Sequence, residues 1–275
     1  MLPHLLAYYG GEGRIVEPFF GGGAFSFHMA AKNSSLEVIA SDYLSDLMDI
    51  YRAVRTDVEG FIGELDQYAS AYLALERSAR REYYYSVRGR YMRRELDGPG
   101  PLYFLLRCAY SGMYRTGVEF PGRFNTSHGF GLERPGFHMP DRLRAAAKVM
   151  TGWSLLDGDF SQVLHYCGPG SFVLLDPPYR QTYKGYTGQG FSDEDQLRVV
   201  AFYKEAVARG ATVVLTNKDL GDGYYEEHLP GCNISRVPIR YSVNRNCSTV
   251  GRPQSHEVIV SSVPALAAAA TSAQG

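Results

Sequence analysis

Apolar positions along this 275-residue chain fall into two kinds of pattern. Short runs read as strands: Arg14 to Glu17 and Ser171 to Leu175 as buried ones, then Leu36 to Ala40, Trp153 to Leu156, Ala211 to Thr216, and Ser235 to Tyr241 with Glu257 to Ser262 as the last pair. Between them, apolar residues recur every three or four positions. Ala24 to Lys32 reads as one helix, while Leu47, Ile50, Tyr51, Val54 and Val58 predict a long one from about Ser45 to Ala79. Ser192-Asp193-Glu194-Asp195 has the spacing of an N-cap box and opens a helix carrying Leu197, Val200, Ala201, Val207 and Ala208. Pro99-Gly100-Pro101 divides the middle of the chain into two helical parts. Phe120 to Pro140 and the glycine-bearing Arg180 to Phe191 read as loops. From Pro264 the chain is alanine-rich and reads as a disordered tail.

Strand, helix and strand in alternation predict an α/β fold. The strand-forming segments are split, so residues 1–55 and 150–263 are expected to form one sheet domain. Residues 56–149 are then an inserted, mainly helical domain, and 264–275 the tail.

Composition narrows the function. At 45% apolar the chain can bury a sizeable core, yet no apolar run approaches the roughly 18 residues of a membrane span. Met1-Leu2-Pro3-His4 begins no cationic signal peptide. Cys108, Cys167, Cys232 and Cys247 are spread out with no Cys-x-x-Cys pair, which excludes a zinc ribbon and argues against a disulfide scaffold. The expectation is a cytoplasmic protein with reduced thiols and no metal.

The net charge of −1 conceals a division. Arginine outnumbers lysine 23 to 5, and 13 arginines lie between Arg77 and Arg144, a stretch that sums to +7 against −8 for the remainder. An isolated charge run is ordinarily a solvated helical face. Choosing arginine almost throughout suits bidentate contacts to phosphate and guanine, which favours a nucleic-acid partner.

Two motifs carry chemistry. Glu17-Pro18-Phe19-Phe20-Gly21-Gly22-Gly23 joins a strand to a helix, and Asp42 ends the next strand 19 residues beyond Gly23. Glycines there let a ligand approach the backbone, and the acid can accept ribose hydroxyls. The alternative is a tight turn with no ligand. Three consecutive glycines depart from G-x-G-x-x-G, so S-adenosylmethionine, with no phosphate to cradle, fits better than a dinucleotide. Asp176-Pro177-Pro178-Tyr179 follows a buried strand directly; its prolines end the ladder and leave Asp176 and Tyr179 at the strand's C-terminal edge, where open α/β sheets bind ligands.

Through these motifs the chain from Ile15 to Val260 resembles the Dam-like DNA adenine-N6 methyltransferases. The glycine turn is similar to the family's cofactor motif, Asp42 with Leu47 and Tyr51 to its acid-and-helix motif, and Asp176-Pro177-Pro178-Tyr179 to its catalytic motif. Arg107 to Arg115 and Gly122 to Asn125 are similar to its DNA-reading segment. The resemblance implies a Rossmann-like S-adenosylmethionine methyltransferase sheet with an inserted DNA-recognition domain, acting on double-stranded DNA as a monomer, of the kind met in restriction-modification systems. Asp176 and the Pro177 carbonyl would accept from the two N6–H of a flipped adenine, and Tyr179 would stack on it. Asp42 would hold the donor's ribose, Phe20, Gly21 and Gly23 would line its methionine side, and Asp159 with Phe160 would frame its adenine. Arg115 would read guanine, Tyr110 and Ser111 would fill the gap left by the flipped base, and Arg107 and Asn125 would also contact DNA. Arg88 to Arg94 would meet phosphates, and Tyr83 to Tyr85 are shared between core and DNA.

Departures from the family keep rivals open. Its opening Lys-Trp-x-Gly-Gly-Lys motif has no counterpart before Lys32, Leu44 stands where asparagine is usual, and Ser111, Gly117 and Ser127 replace the usual Asn, Asn and Pro. One alternative is therefore a DNA-binding remnant with weak or no catalysis. RNA, protein and cytosine-N4 methylation are the others.

Overall fold

The apolar runs become strands and the periodic segments helices. The computed structural model describes residues 1–116, 123–129, 136–180, 191–239 and 255–266. In chain order the elements are α1 (Leu2–Leu5), β1 (Arg14–Glu17), α2 (Ala24–Ala30), β2 (Glu37–Asp42), α3 (Ser45–Thr56), α4 (Val58–Leu73), α5 (Arg77–Met92), α6 (Pro99–Cys108) and α7 (Pro140–Val149). There follow β3 (Ser154–Asp157), β4 (Ser171–Leu175), α8 (Asp193–Ala208), β5 (Thr212–Lys218), α9 (Tyr224–His228), β6 (Asn233–Ile239) and β7 (Ser255–Ser261). The expected loop at 181–190, the tail beyond 266, Gly117, Gly122, Tyr241 and Cys247 lie outside the described residues. The chain forms two compact units: one takes in Met1–Ser41, Asp159–Arg180 and the residues from Asp193 on, the other Asp42–Gly158 with the segment ending at Ser192.

In the first unit the strands run in the order β2-β1-β4-β5-β7-β6. β2, β1, β4 and β5 are parallel, whereas β7 runs antiparallel between β5 and β6. Ile15 pairs with Val38 on one side and Phe172 on the other, and Val173 pairs with Val213. Each of these is 0% exposed, which is why the strands read as continuous apolar runs rather than alternating ones. The chain leaves β1 for β2 on one side, and β4 lies on the other. Such a reversal opens a crevice at the strands' C-terminal ends. Glu17 ends β1 there, and Asp176 follows β4.

The long helix predicted from Ser45 to Ala79 is instead α3 and α4, followed by the first residues of α5. Asp57 leaves the helical region at φ −149°, and its Oδ1 accepts from Gly60 N at 2.9 Å, capping α4. Val54 and Val58 keep helical spacing across the break, so periodicity alone does not register it. Asp57→Ala is expected to cost about 1 kcal/mol. Urea unfolding at neutral pH checks this, and an unchanged midpoint would rule out the cap.

The second unit packs its helices through aromatic rings. Phe104 lies 5.5 Å from Tyr68, 5.6 Å from Tyr72 and 5.8 Å from Tyr83 between ring centroids. Tyr84 is 0% exposed and its hydroxyl donates to Thr126 O at 2.9 Å, placing it in the core, while Tyr83 and Tyr85 are half-buried.

Candidate active site

The glycine turn is shaped by close approach. Gly23 has φ +59°, and a Cβ there would lie 2.2 Å from the Phe20 ring. Gly21, at φ +50°, and Gly22 face open space, since a Cβ at either would meet nothing within 4 Å. That open backbone face is what a ligand resting on the turn needs. Beneath it Glu17 is buried, and its Oε1 accepts from Ser26 N at 2.9 Å and Ser26 Oγ at 2.7 Å. Burial pushes the Glu17 carboxyl up to about 7; the two Ser26 bonds oppose the shift and the Asp176 charge adds to it.

Every residue of the Asp-Pro-Pro-Tyr turn except Pro177 is held by a side chain from elsewhere in the unit. Thr216 Oγ1, on β5, donates to Asp176 Oδ1 at 2.7 Å. Gln196 Nε2, on α8, donates to Pro178 O at 2.7 Å. The Tyr179 hydroxyl donates to Glu257 Oε1, on β7, at 2.5 Å. Just past the turn, Arg180 N donates to Asn217 Oδ1 at 3.0 Å, its guanidinium pairs with Asp222 at 2.8 Å, and it stacks 3.6 Å from the Tyr224 ring centroid. Among the described residues none donates to the Pro177 carbonyl. Asp176 remains open to solvent, yet the protein surrounding it pushes its carboxyl above the ordinary range. The Thr216 bond opposes that shift, the Glu257 charge reinforces it, and the Met1 amino group opposes it.

Phe160 packs in the same unit, 5.0 Å from Phe19 and 6.0 Å from Phe202 between ring centroids. Arg198, on α8, lies 4.8 Å over the Phe160 ring and donates from Nη2 to both Asp159 oxygens at 2.7 Å. Burial alone would raise the Asp159 carboxyl, but the Arg198 and Ser161 hydrogen bonds outweigh it and hold it below its usual range. Asp42, the last residue of β2, accepts from Leu44 N at 3.0 Å.

In the second unit the segment expected to read DNA pairs with itself. Tyr110 N donates to Ser127 O at 2.9 Å, and Asn125 N donates to Arg115 O at 2.6 Å. Thr126 fixes the register: its hydroxyl donates to Met113 O at 2.6 Å and accepts from Arg115 N at 3.1 Å. Tyr110, Ser111 and Arg115 are thereby presented on the surface, with Ser111 at φ +55°, and Asn125 is half-buried beside Arg115. Arg107 is placed differently: its Nε and Nη2 donate to Phe137 O at 3.0 and 2.8 Å. Arg88 likewise donates to Thr126 O at 3.1 Å and lies 4.6 Å over the Tyr85 ring.

The Asp-Pro-Pro-Tyr turn at the end of β4 and the open glycine turn at the end of adjacent β1 lie at the C-terminal edge of the sheet, where open α/β folds bind ligands. The sequence model of the D12 class N6 adenine-specific DNA methyltransferases matches residues 1–235. The chain belongs to this family.

It is 33% identical over 246 residues to the Type II methyltransferase M.MjaIII of Methanocaldococcus jannaschii, covering 85% of this chain and 84% of that one. It is 28% identical to the Type II methyltransferase M1.LlaDCHI of Lactococcus lactis, over 92% of this chain and 88% of the relative. It is also 25% identical to the DNA N-6-adenine-methyltransferase of Escherichia phage P1, over 94% of this chain and 33% of that longer protein. A DNA adenine-N6 methyltransferase needs a methyl donor and a DNA substrate. Among the described residues no helix is long and apolar enough to cross a membrane, and no group of three or more His, Cys, Asp or Glu is placed to hold a metal ion.

For this methyltransferase, sequence patterns located the motifs but not what holds them. Gln196, Thr216 and Glu257 come from segments read only as helix or strand, and Asn217 lies just past the strand read to Thr216. Glu17 was visible within the glycine motif, and its acid at the end of a buried apolar strand was the available signal.

Proposed function

We propose that this methyltransferase takes its methyl group from S-adenosylmethionine and delivers it to adenine N6 in duplex DNA with the target base turned out of the helix. What carries the reading is the position of Asp176 at the end of β4, solvent-accessible and oriented by Thr216, beside a Pro177 carbonyl to which no described residue donates. An exocyclic amine is a poor nucleophile because its lone pair is delocalised into the ring. Asp176 and Pro177 O accept its two hydrogens, draw the nitrogen toward tetrahedral geometry and localise that lone pair. Tyr179 stacks on the base, so positioning supplies the rate. S-adenosylmethionine, when bound, supplies a methyl group already activated by positive sulfur. The open face of Gly21 and Gly22 fits such a ligand, with Phe20 and Gly23 shaping the turn, Asp42 for the ribose, and Asp159 and Phe160 for the donor's adenine. Residues 1–55 and 150–263 carry the chemistry, and 56–149 the DNA reading.

Transfer of labelled methyl from S-adenosylmethionine to duplex DNA, with RNA and protein as competing acceptors, tests the proposal. Label appearing as N6-methyladenine in duplex DNA is expected. Preference for RNA or protein would overturn it, and no donor binding at millimolar concentration in calorimetry would leave a DNA-binding remnant.

Arg115, exposed on the self-paired segment, is the residue proposed for bidentate guanine readout, with Tyr110 and Ser111 beside it and Asn125 in backbone contact. Arg115→Ala is expected to relax preference at one base pair by about 1–3 kcal/mol. Sequencing that maps methyladenine reads this directly, and an unchanged site would remove Arg115 from the readout.

A further inference from the structure

The turn that carries Asp176 is held from three neighbouring elements, and two of the holds, Thr216 on Asp176 and Glu257 on Tyr179, reach side chains proposed to touch the target base. Glu257 is 6% exposed on β7 and receives the Tyr179 hydroxyl at 2.5 Å. In the sheet it pairs with Lys218, two residues beyond Thr216, the residue that orients Asp176. β5 and β7 are thus locked in register, and through that register Asp176 and Tyr179 are set relative to each other by adjacent strands. A phenol can turn about two side-chain torsions. A hydrogen bond from its far end to a buried carboxylate removes that freedom before a base arrives, so the ring plane is already set.

We propose that Glu257 is a positioning residue for methyl transfer, holding the Tyr179 hydroxyl so that the ring presents a fixed stacking face to the target adenine. The proposal rests on the reading of Tyr179 as the residue that stacks on that base. Glu257 itself touches neither donor nor base. Its contribution therefore enters through turnover and not through donor affinity.

The test is a double-mutant cycle in the full chain, with kcat measured by methyl transfer into duplex DNA and donor affinity by calorimetry. Tyr179→Phe keeps the ring and removes the hydroxyl; Glu257→Ala removes the acceptor. Each is expected to lower kcat on the order of ten-fold or more with donor Kd unchanged. The double variant is expected to be no slower than the slower single, because both remove one interaction. Glu257→Gln, which keeps an accepting oxygen, is expected to restore most of the turnover. Multiplying effects in the double variant would overturn the proposal, as would wild-type turnover in Tyr179→Phe, a result that stands even if Glu257→Ala does not fold. Tyr179→Ala separates the two levels of the argument. If it retains turnover, the reading of Tyr179 fails; if it is impaired while Tyr179→Phe is not, only the role of Glu257 fails.

Discussion

Asp176→Ala is expected to lower kcat for methyl transfer by on the order of 10²–10³-fold while leaving donor affinity within a few-fold of wild type. Two acceptors are proposed to hold the adenine amine, and only Asp176 bears a charge. Its removal leaves the Pro177 carbonyl alone to pull on the nitrogen, and it strands the Thr216 hydroxyl that now donates to Asp176 Oδ1 at 2.7 Å. The residues proposed to hold the donor, Phe20 to Gly23, Asp42, Asp159 and Phe160, lie outside the Asp-Pro-Pro-Tyr turn, so truncating the Asp176 side chain leaves their backbone untouched. Single-turnover transfer and donor calorimetry on the same preparation check both halves. Near-normal turnover would refute the motif's role. The ionised carboxylate is the form that accepts, and desolvation by the surrounding protein, reinforced by the Glu257 charge, holds Asp176 above the ordinary range, so activity is also expected to fall on acidification earlier than an unperturbed aspartate would dictate.

The second large effect concerns stability. Glu17 has an ordinary value of 4.5 when the chain is unfolded, and burial pushes it up to about 7 in the folded protein. Between these values the native state keeps a proton that the unfolded chain has lost. Stability from this group is therefore complete at low pH and is lost as pH rises through about 7. The loss amounts to roughly 3 kcal/mol by pH 8. Glu17→Gln keeps an oxygen to accept from Ser26 N and Oγ but cannot ionise. The stability of wild type relative to this variant is expected to fall by about that amount between pH 4.5 and 8. Denaturant unfolding across that range measures it, and parallel curves for the two proteins would show that Glu17 does not titrate in the window. An acid buried at this cost, at the end of β1 beside the glycine turn, is the kind of expense a functional site carries.

What was legible in the chain was short-range. Strand β4 was read over Ser171 to Leu175 and β1 over Arg14 to Glu17, each as the structure has them, because a strand buried on both faces must be apolar at consecutive positions. The glycine turn and the Asp-Pro-Pro-Tyr turn were equally visible, since glycine and proline restrict backbone conformation within a residue or two of themselves. The arginine excess in 77–144 was likewise open to counting.

What was not legible required knowing which side chains meet. Thr216 reaches Asp176 across 40 residues and Glu257 reaches Tyr179 across 78. Neither pairing follows from local spacing, because each depends on strand order and on the register of β7 against β5. The break at Asp57 was hidden for a related reason: a side chain capping its own backbone leaves the apolar period intact. The partner of Arg107 was hidden likewise: its guanidinium donates to Phe137 O, which only the packing of the second unit supplies. The chain's own pattern decided the elements and the chemistry they carry, because propensity and turn geometry are local. Tertiary structure alone decided how that chemistry is held, because hydrogen-bond partners are chosen by distance in space, and sheet register sets those distances.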